Sequence, residues 1–125
     1  MFRSYKIYIQ ISRNKIAAVN LDTGIEVMRT STEPFSTSRS VLSKFSPANE
    51  TLIAALKDLG LKMTFLKIKV VIQQIENTEV ELTDIEKRAL RDLAENAGAG
   101  KVYIVDGNQP LTNDEALAMI ERDGS

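Results

Sequence analysis

The 125-residue sequence contains neither cysteine nor histidine. Without cysteine there is no disulfide framework, no thiolate nucleophile and no cysteine-based metal site. Without histidine the chain lacks the commonest general base, the Ser-His arrangement and most zinc geometries. A catalytic mechanism would therefore have to rest on Asp, Glu, Lys, Ser or Tyr.

An excess of charge is also missing, because sixteen basic and seventeen acidic residues leave a net charge of −1. A nucleic-acid surface needs a clear basic excess or stripe, so we expect no nucleic-acid partner. No apolar run approaches the roughly 18 residues of a membrane span. The N terminus alternates instead of forming the apolar core of a signal peptide. The expected location is cytoplasmic.

What is present suits one globular domain over residues 1–125. Hydrophobic residues make up 43% and charged residues 26% of the chain, which is ordinary for a soluble protein with a core of its own. We therefore expect a single domain with no internal repeat.

The first thirty residues predict three antiparallel strands. Residues 5–12 alternate with a period of two, which indicates a strand with one strongly buried face. The turn Arg13-Asn14 follows, with Asn14 suited to a positive φ. Strands over 15–21 and 25–30 complete a meander. The buried face would be Tyr5, Ile7, Ile9 and Ile11, and the other face Lys6, Tyr8, Gln10 and Ser12.

The middle of the chain predicts a loop, a helix, a strand and a second loop. Residues 31–46 are rich in Ser and Thr and predict an irregular surface loop, with a short helical turn over 41–45. Ser46-Pro47 predicts a helix start, with Ser46 as N-cap. A strand over 66–73 follows. In the next loop Glu76, Glu79 and Glu81 favour a solvated acidic segment over a metal site.

Two capping boxes punctuate the last third. Thr83 and Glu86 can each bond the other's backbone N–H, which predicts a helix start, and Gly98 predicts its end. A short strand over 102–105 follows. A second capping box opens a final helix, and residues 121–125 are expected to fray. The apolar stripe of the first of these two helices would be Ile85, Ala89, Leu90, Leu93 and Ala97.

The predicted order is β-β-β-α-β-α-β-α, an α/β fold. Three antiparallel strands followed by two parallel strands, each added through a crossover helix, give a mixed five-stranded sheet with helices packed on it.

The segment 80–105 resembles the bacterial actin MreB, the rod-shape-determining family. That family has a Thr-x-Val-Glu-(Lys/Arg)-Arg-Ala helix start, an Ala-Gly-Ala helix end and a Val-Tyr-Leu-Ile-like strand. The corresponding residues here are Thr83, Ile85-Glu86-Lys87-Arg88-Ala89, Ala97-Gly98-Ala99 and Val102-Tyr103-Ile104-Val105. The resemblance implies a single subdomain of the ribonuclease-H-like fold that actins and sugar kinases share.

The chain departs from that family at the positions that carry its chemistry. The family's phosphate loop, Asp-Leu-Gly-Thr, falls on Gln10-Ile11-Ser12-Arg13. Gln10 lacks the charge to hold a cation with phosphate, and Ser12 places a Cβ where close backbone approach is needed. We therefore expect a degenerate phosphate loop, formed by Gln10, Ser12, Arg13 and Asn14, and no cofactor or metal.

One functional position of the family is retained. Glu86 falls where the family has the glutamate that positions the attacking water, but it also completes a capping box. With Gln10 at the aspartate position, the structural interpretation of Glu86 is favoured and no catalytic residue is expected.

These features favour a non-catalytic domain that acts through protein contacts, with another protein or with itself, in cell shape or division. The candidate surface is formed by the first strands and by Phe35, Val41, Leu42 and Phe45, although those four side chains could instead pack beneath their loop. The alternative is a residual ATP-binding or ATPase domain, with ATP and magnesium as cofactors, in which Glu86 acts with Ser12 and Asn14 near phosphate.

Overall fold

The computed structural model describes residues 4–36, 41–61, 67–75, 82–107 and 109–122. Within these ranges the strands are β1 (Ser4–Ser12), β2 (Lys15–Asn20), β3 (Glu26–Thr30), β4 (Lys67–Gln74) and β5 (Ala99–Val105), and the helices are α1 (Phe45–Asp58), α2 (Asp84–Asn96) and α3 (Asn113–Arg122). The predicted acidic segment with Glu76, Glu79 and Glu81 lies outside the described residues, as do 37–40 of the predicted loop and 123–125 of the predicted tail.

The strands form one mixed sheet in the order β3-β2-β1-β4-β5. β1 pairs antiparallel with β2, and β2 pairs antiparallel with β3. On its other side β1 pairs parallel with β4, which pairs parallel with β5. The predicted α/β architecture, a meander extended by two crossover strands, is confirmed.

Two local turns close the meander. Asn14 has φ 56°, the left-handed conformation predicted for it, and the strand ends Ser12 and Lys15 pair on either side of the turn. Gly24 has φ 79°, and its N–H donates to the carbonyl of Asn20 at 2.7 Å. Such φ values strain most side chains but not glycine, and asparagine tolerates them well.

The sheet is covered on both faces. One face of β1 packs with α1 and α2 in the main core, which includes Ile7, Ile9 and Ile11. The other face carries Tyr8, which is buried in a second cluster with Val71 and residues of α3. The prediction of only one strongly buried face on β1 is therefore wrong, because α3 folds back over the second face.

A buried polar network holds α3 in that position. The Tyr8 hydroxyl donates to Oε1 of Gln73, and the same hydroxyl accepts the N–H of Leu111 at 3.0 Å. Nε2 of Gln73 donates to the carbonyls of Gly107 and Gln109 at 3.0 and 2.8 Å. Two side chains of the central strands thus satisfy the backbone of the connection between β5 and α3.

Helix α1 begins at Phe45, two residues before the predicted first helical residue Pro47, and without the predicted cap. Its N-cap is Lys44, which has extended φ and ψ and makes no side-chain capping bond. The carbonyl of Phe35 accepts the N–H groups of Ser43 and Lys44 at 2.8 and 2.9 Å. These bonds hold Ser43 and Lys44 against Phe35, and residues 41–44 form no helical turn. The predicted helical turn over 41–45 and the Ser46 cap are therefore both wrong.

Three other expectations are corrected within the described residues. Strand β5 begins at Ala99, three residues before the predicted start, and α3 extends through Arg122 into the predicted frayed tail. Ile85 is 83% exposed and is not part of the buried stripe of α2. Because a helix turns once in about 3.6 residues, Ile85 lies nearly a turn and a half before Leu90 and faces away from the core.

We expect Tyr8→Phe to lower the free energy of unfolding by about 1–3 kcal/mol, because it leaves Oε1 of Gln73 and the N–H of Leu111 without a partner in a buried site. Urea unfolding followed by circular dichroism measures the loss. Tyr5→Phe is the matched control, since Tyr5 is half-buried and makes no hydrogen bond through its hydroxyl within the described ranges. Equal losses in the two variants would contradict a stabilising role for the network.

Candidate functional site

The residues singled out by the family resemblance lie at one end of the strands, the carboxyl end of β1, β4 and β5. The turn after β1 is at the carboxyl end of a strand that runs parallel to β4 and β5. The first turns of α2 lie at the same end of the strands. Nζ of Lys87 is 3.0 Å from Oδ2 of Asp106, the residue just past β5. In open α/β sheets ligands usually bind outside the carboxyl ends of the strands, and Glu86 and the β1–β2 turn both lie at that end.

Asn14 makes four hydrogen bonds to the segment that follows β3. Its Oδ1 accepts the N–H groups of Phe35 and Ser36, each at 2.9 Å. Its own N–H donates to Oγ of Ser36 at 3.0 Å, and its carbonyl accepts the N–H of Ser31 at 2.8 Å. The Ser36 hydroxyl in turn donates to the carbonyl of Val41. We call this arrangement of Asn14, Ser31, Phe35, Ser36 and Val41 the Asn14 clasp.

The Asn14 clasp changes what the turn can do. Phosphate sites at such turns use backbone N–H groups that point at the anion. The Asn14 N–H points at Ser36 instead, so a phosphate could reach it only if the segment leading to Ser36 moved away. Gln10 and Ser12, the other positions of the family's loop, are half-buried strand residues that pair with Ala17 and Lys15 of β2.

Arg13, the last candidate in this turn, is exposed. A cation bound with phosphate would also need oxygen ligands, usually carboxylates. Within the ranges that the structure describes, no group of three or more Asp or Glu side chains is placed to hold a metal ion. None of the described helices has the length and apolar character needed to cross a membrane.

Glu86 is a capping residue. Its Oε1 accepts the N–H of Thr83 at 2.9 Å, and Oγ1 of Thr83 accepts the N–H of Glu86 at 3.1 Å. The same reciprocal pair forms at Thr112 and Glu115, with distances of 2.8 and 3.1 Å. Both predicted capping boxes are confirmed, and each satisfies two N–H groups that a helix start otherwise leaves open.

The four proposed interaction residues are placed differently from one another. Phe35 and Val41 are buried in the main core, and Leu42 is half-buried against it. Phe45 is 40% exposed at the start of α1. The packing alternative therefore describes Phe35 and Val41, and Phe45 is the member of the set that offers real apolar surface.

Sequence reasoning missed an open groove between α2 and the end of β5. Its volume is about 570 Å³. It is lined by Asp84, Lys87, Arg88, Arg91, Asp92, Glu95, Ile104 and Asp106. The charges on α2 are visible in the sequence, but only the tertiary contact between Lys87 and Asp106 shows that they border a groove. Its mixed charges select no ligand class.

The Asn14 clasp predicts a specific response to substitution. Asn14→Gly keeps the backbone conformation but removes the acceptor of two N–H groups, so it should lower the free energy of unfolding by about 1–3 kcal/mol. Asn14→Asp keeps an acceptor and tolerates the left-handed region, so it should lose much less. Urea unfolding of both variants checks the difference, and equal stability of Asn14→Gly and the unmodified chain would contradict the clasp.

The capping role of Glu86 predicts that its charge matters little. Glu86→Gln keeps the acceptor, so we expect a loss of no more than about 0.5 kcal/mol from removing a charge near the helix N terminus. Thr83→Ala should cost about 1 kcal/mol. Thermal and urea unfolding give both values. A larger loss in Glu86→Gln than in Thr83→Ala would indicate a role of the carboxylate beyond capping.

No protein-family model and no curated protein matches this sequence.

Proposed function

We propose that this chain is a non-catalytic, actin-like domain of the ribonuclease-H-like class that acts through protein contacts. In this proposal it is a cytoplasmic relative of the MreB rod-shape family with a role in cell shape or division. The Asn14 clasp carries the proposal, because it fills the position where an active relative would hold phosphate.

The sheet supports the fold part of the proposal. Relative to β1, only β2 runs in the opposite direction, since β3 is antiparallel to β2 and both β4 and β5 are parallel to β1. Helices α1 and α2 pack on one face and α3 on the other. This is the arrangement that the family resemblance implies for one subdomain of an actin-like protein.

The loss of chemistry is supported at three separate positions. Gln10 offers a neutral amide where the family has a carboxylate for the cation. The N–H of Asn14 is bonded to Ser36. The carboxylate of Glu86 is bonded to the N–H of Thr83 and serves the helix start. Each of these is explained by local structure, so no nucleotide or metal is needed to account for it.

Protein contact is supported by the apolar surface. Among the described residues the exposed large hydrophobic side chains are Ile25, Met28, Phe45 and Ile85. Single exposed apolar residues are common on any protein. Ile25 and Met28 are different, because they flank the same edge of the sheet, one on each face.

Titration of the labelled chain with magnesium and ATP, followed by amide resonances, tests the proposal. We expect the resonances of Gln10, Ser12 and Asn14 to stay unchanged at millimolar ATP, because the clasp leaves no N–H of Asn14 for phosphate. Asn14→Gly, which opens the clasp, is the matched variant. Saturable shifts at this turn, together with ATP hydrolysis that Glu86→Gln abolishes, would establish the ATPase alternative.

A further inference from the structure

Strand β3 is an edge strand whose hydrogen-bonding direction can be assigned residue by residue. Among the strands that the structure describes, it pairs only with β2. The bonds from Asn20 N–H to the Ile25 carbonyl and from Ser31 N–H to the Asn14 carbonyl fix which residues point inward. Since the direction alternates along a strand, Val27 and Arg29 point their N–H and C=O groups toward β2. The outward residues are Glu26, Met28 and Thr30.

This edge lacks three of the features that usually prevent strand pairing, although β3 is short and carries two charged residues. Natural proteins protect edge strands with lysine, proline or a bulge. The opposite edge, β5, carries Lys101, and its register with β4 is irregular between Ile68 and Lys69. β3 has the sequence EVMRT, contains neither lysine nor proline, and pairs with β2 in an unbroken register.

The one cation on β3 is already held within the chain. Nε and Nη2 of Arg29 donate to Oδ2 and Oδ1 of Asp58 in α1 at 2.6 and 3.0 Å. These hydrogen bonds, and the attraction of the guanidinium, lower the pKa of the Asp58 carboxyl. The two-point contact fixes β3 against α1, so the edge is held in its strand conformation before any partner arrives.

Apolar side chains flank the outward backbone groups. Met28 is 64% exposed and Ile25 is 59% exposed. Met28 pairs laterally with Ala17, whose small side chain covers little of the methionine. Exposed apolar surface beside unsatisfied strand hydrogen bonds is the combination that β-strand addition uses.

We propose that a second copy of this chain adds its β3 antiparallel to this edge, across a two-fold axis at Met28. The inference deepens the proposed function by naming the protein partner, and it rests on that proposal only in taking protein contact as the domain's role. In this register Met28 meets Met28 of the second copy, and Glu26 meets Thr30. All three outward residues then exchange hydrogen bonds, as a self-complementary two-fold interface requires.

The charges favour this register over its neighbours. Thr30 pairs laterally with Lys15 on β2, on the same face as Glu26. Glu26 of one copy therefore lies two strands away from Lys15 of the other, with Thr30 between them, at about 10 Å between backbones, a separation that the two long side chains can span. This placement occurs twice in the symmetric pair. Moving the axis to Val27 leaves Thr30 unpaired by the second β3, and moving it to Arg29 places two guanidinium groups opposite each other. Like charges directly opposite in a sheet are destabilising.

Light scattering coupled to gel filtration of the 125-residue chain tests the proposal. We expect a dimer whose fraction rises with concentration. Met28→Pro removes an outward N–H without breaking a bond to β2, a position where edge strands tolerate proline. The loss occurs twice across the axis, so dimerisation should weaken at least about tenfold. Met28→Leu keeps the N–H and the apolar side chain and should dimerise like the unmodified chain.

A charge exchange tests the register without relying on proline. Lys15→Glu and Glu26→Lys should each weaken the dimer, and the double variant should restore it, because the side chains at these two positions come within reach of each other across Thr30 only between copies. A monomer at all concentrations, or a dimer that ignores both Met28→Pro and the charge exchange, would overturn the inference. The ATP titration tests the proposed function separately from the dimer. ATP-induced shifts in a chain that still dimerises would overturn the proposed function but not the dimer.

Discussion

The fold depends on satisfying polar atoms inside a sheet that is covered on both faces. Tyr8 and Gln73 are buried in the central strands, where an unpaired hydroxyl or amide would cost free energy. Both are satisfied by each other and by the backbone leading from β5 to α3. Those backbone groups also need partners, so one network satisfies both the side chains and the connection. The connection then leads into α3, which covers the second core. The position of α3 is thus supported both by this hydrogen-bond network and by the apolar cluster that Ala116 and Ile120 form with Tyr8.

The Asn14 clasp follows the same physical rule with a different consequence. A polar loop that crosses a strand end must find partners for its N–H groups, and Asn14 supplies them for Phe35 and Ser36. The burial of Phe35 anchors the loop, and its carbonyl then directs the entry into α1. The Asn14 N–H is itself bonded to the Ser36 hydroxyl, so the clasp takes up a backbone donor that an anion at this turn would need.

Local chemistry made part of this structure predictable. The period of two in β1, the left-handed φ of Asn14 and the capping boxes at Thr83 and Thr112 are each set by a few neighbouring residues. The burial of Tyr8 and the start of α1 at Phe45 depend on α3 and on Phe35, which are distant in sequence, so periodicity could not reveal them. An apolar residue in a polar loop can mark either a core anchor or a contact surface, which is why the roles of Phe35 and Val41 stayed open. The groove beside Lys87 could not be predicted either, because it depends on a contact between α2 and the end of β5.

The Asn14 clasp occupies the turn at the end of β1. The backbone groups that can still bind a protein partner lie along the outer edge of β3. The outward N–H and C=O groups of β3 are bonded to water in the free chain, so exchanging them for bonds to a second strand gains only about 1 kcal/mol each. Backbone pairing alone would also accept many strands in many registers. Burial of Met28 adds an apolar contribution that scales with the area removed from water, and the Lys15 and Glu26 charges penalise the wrong registers. A contact built from these modest contributions is reversible and concentration-dependent, as expected for the two-copy assembly proposed above.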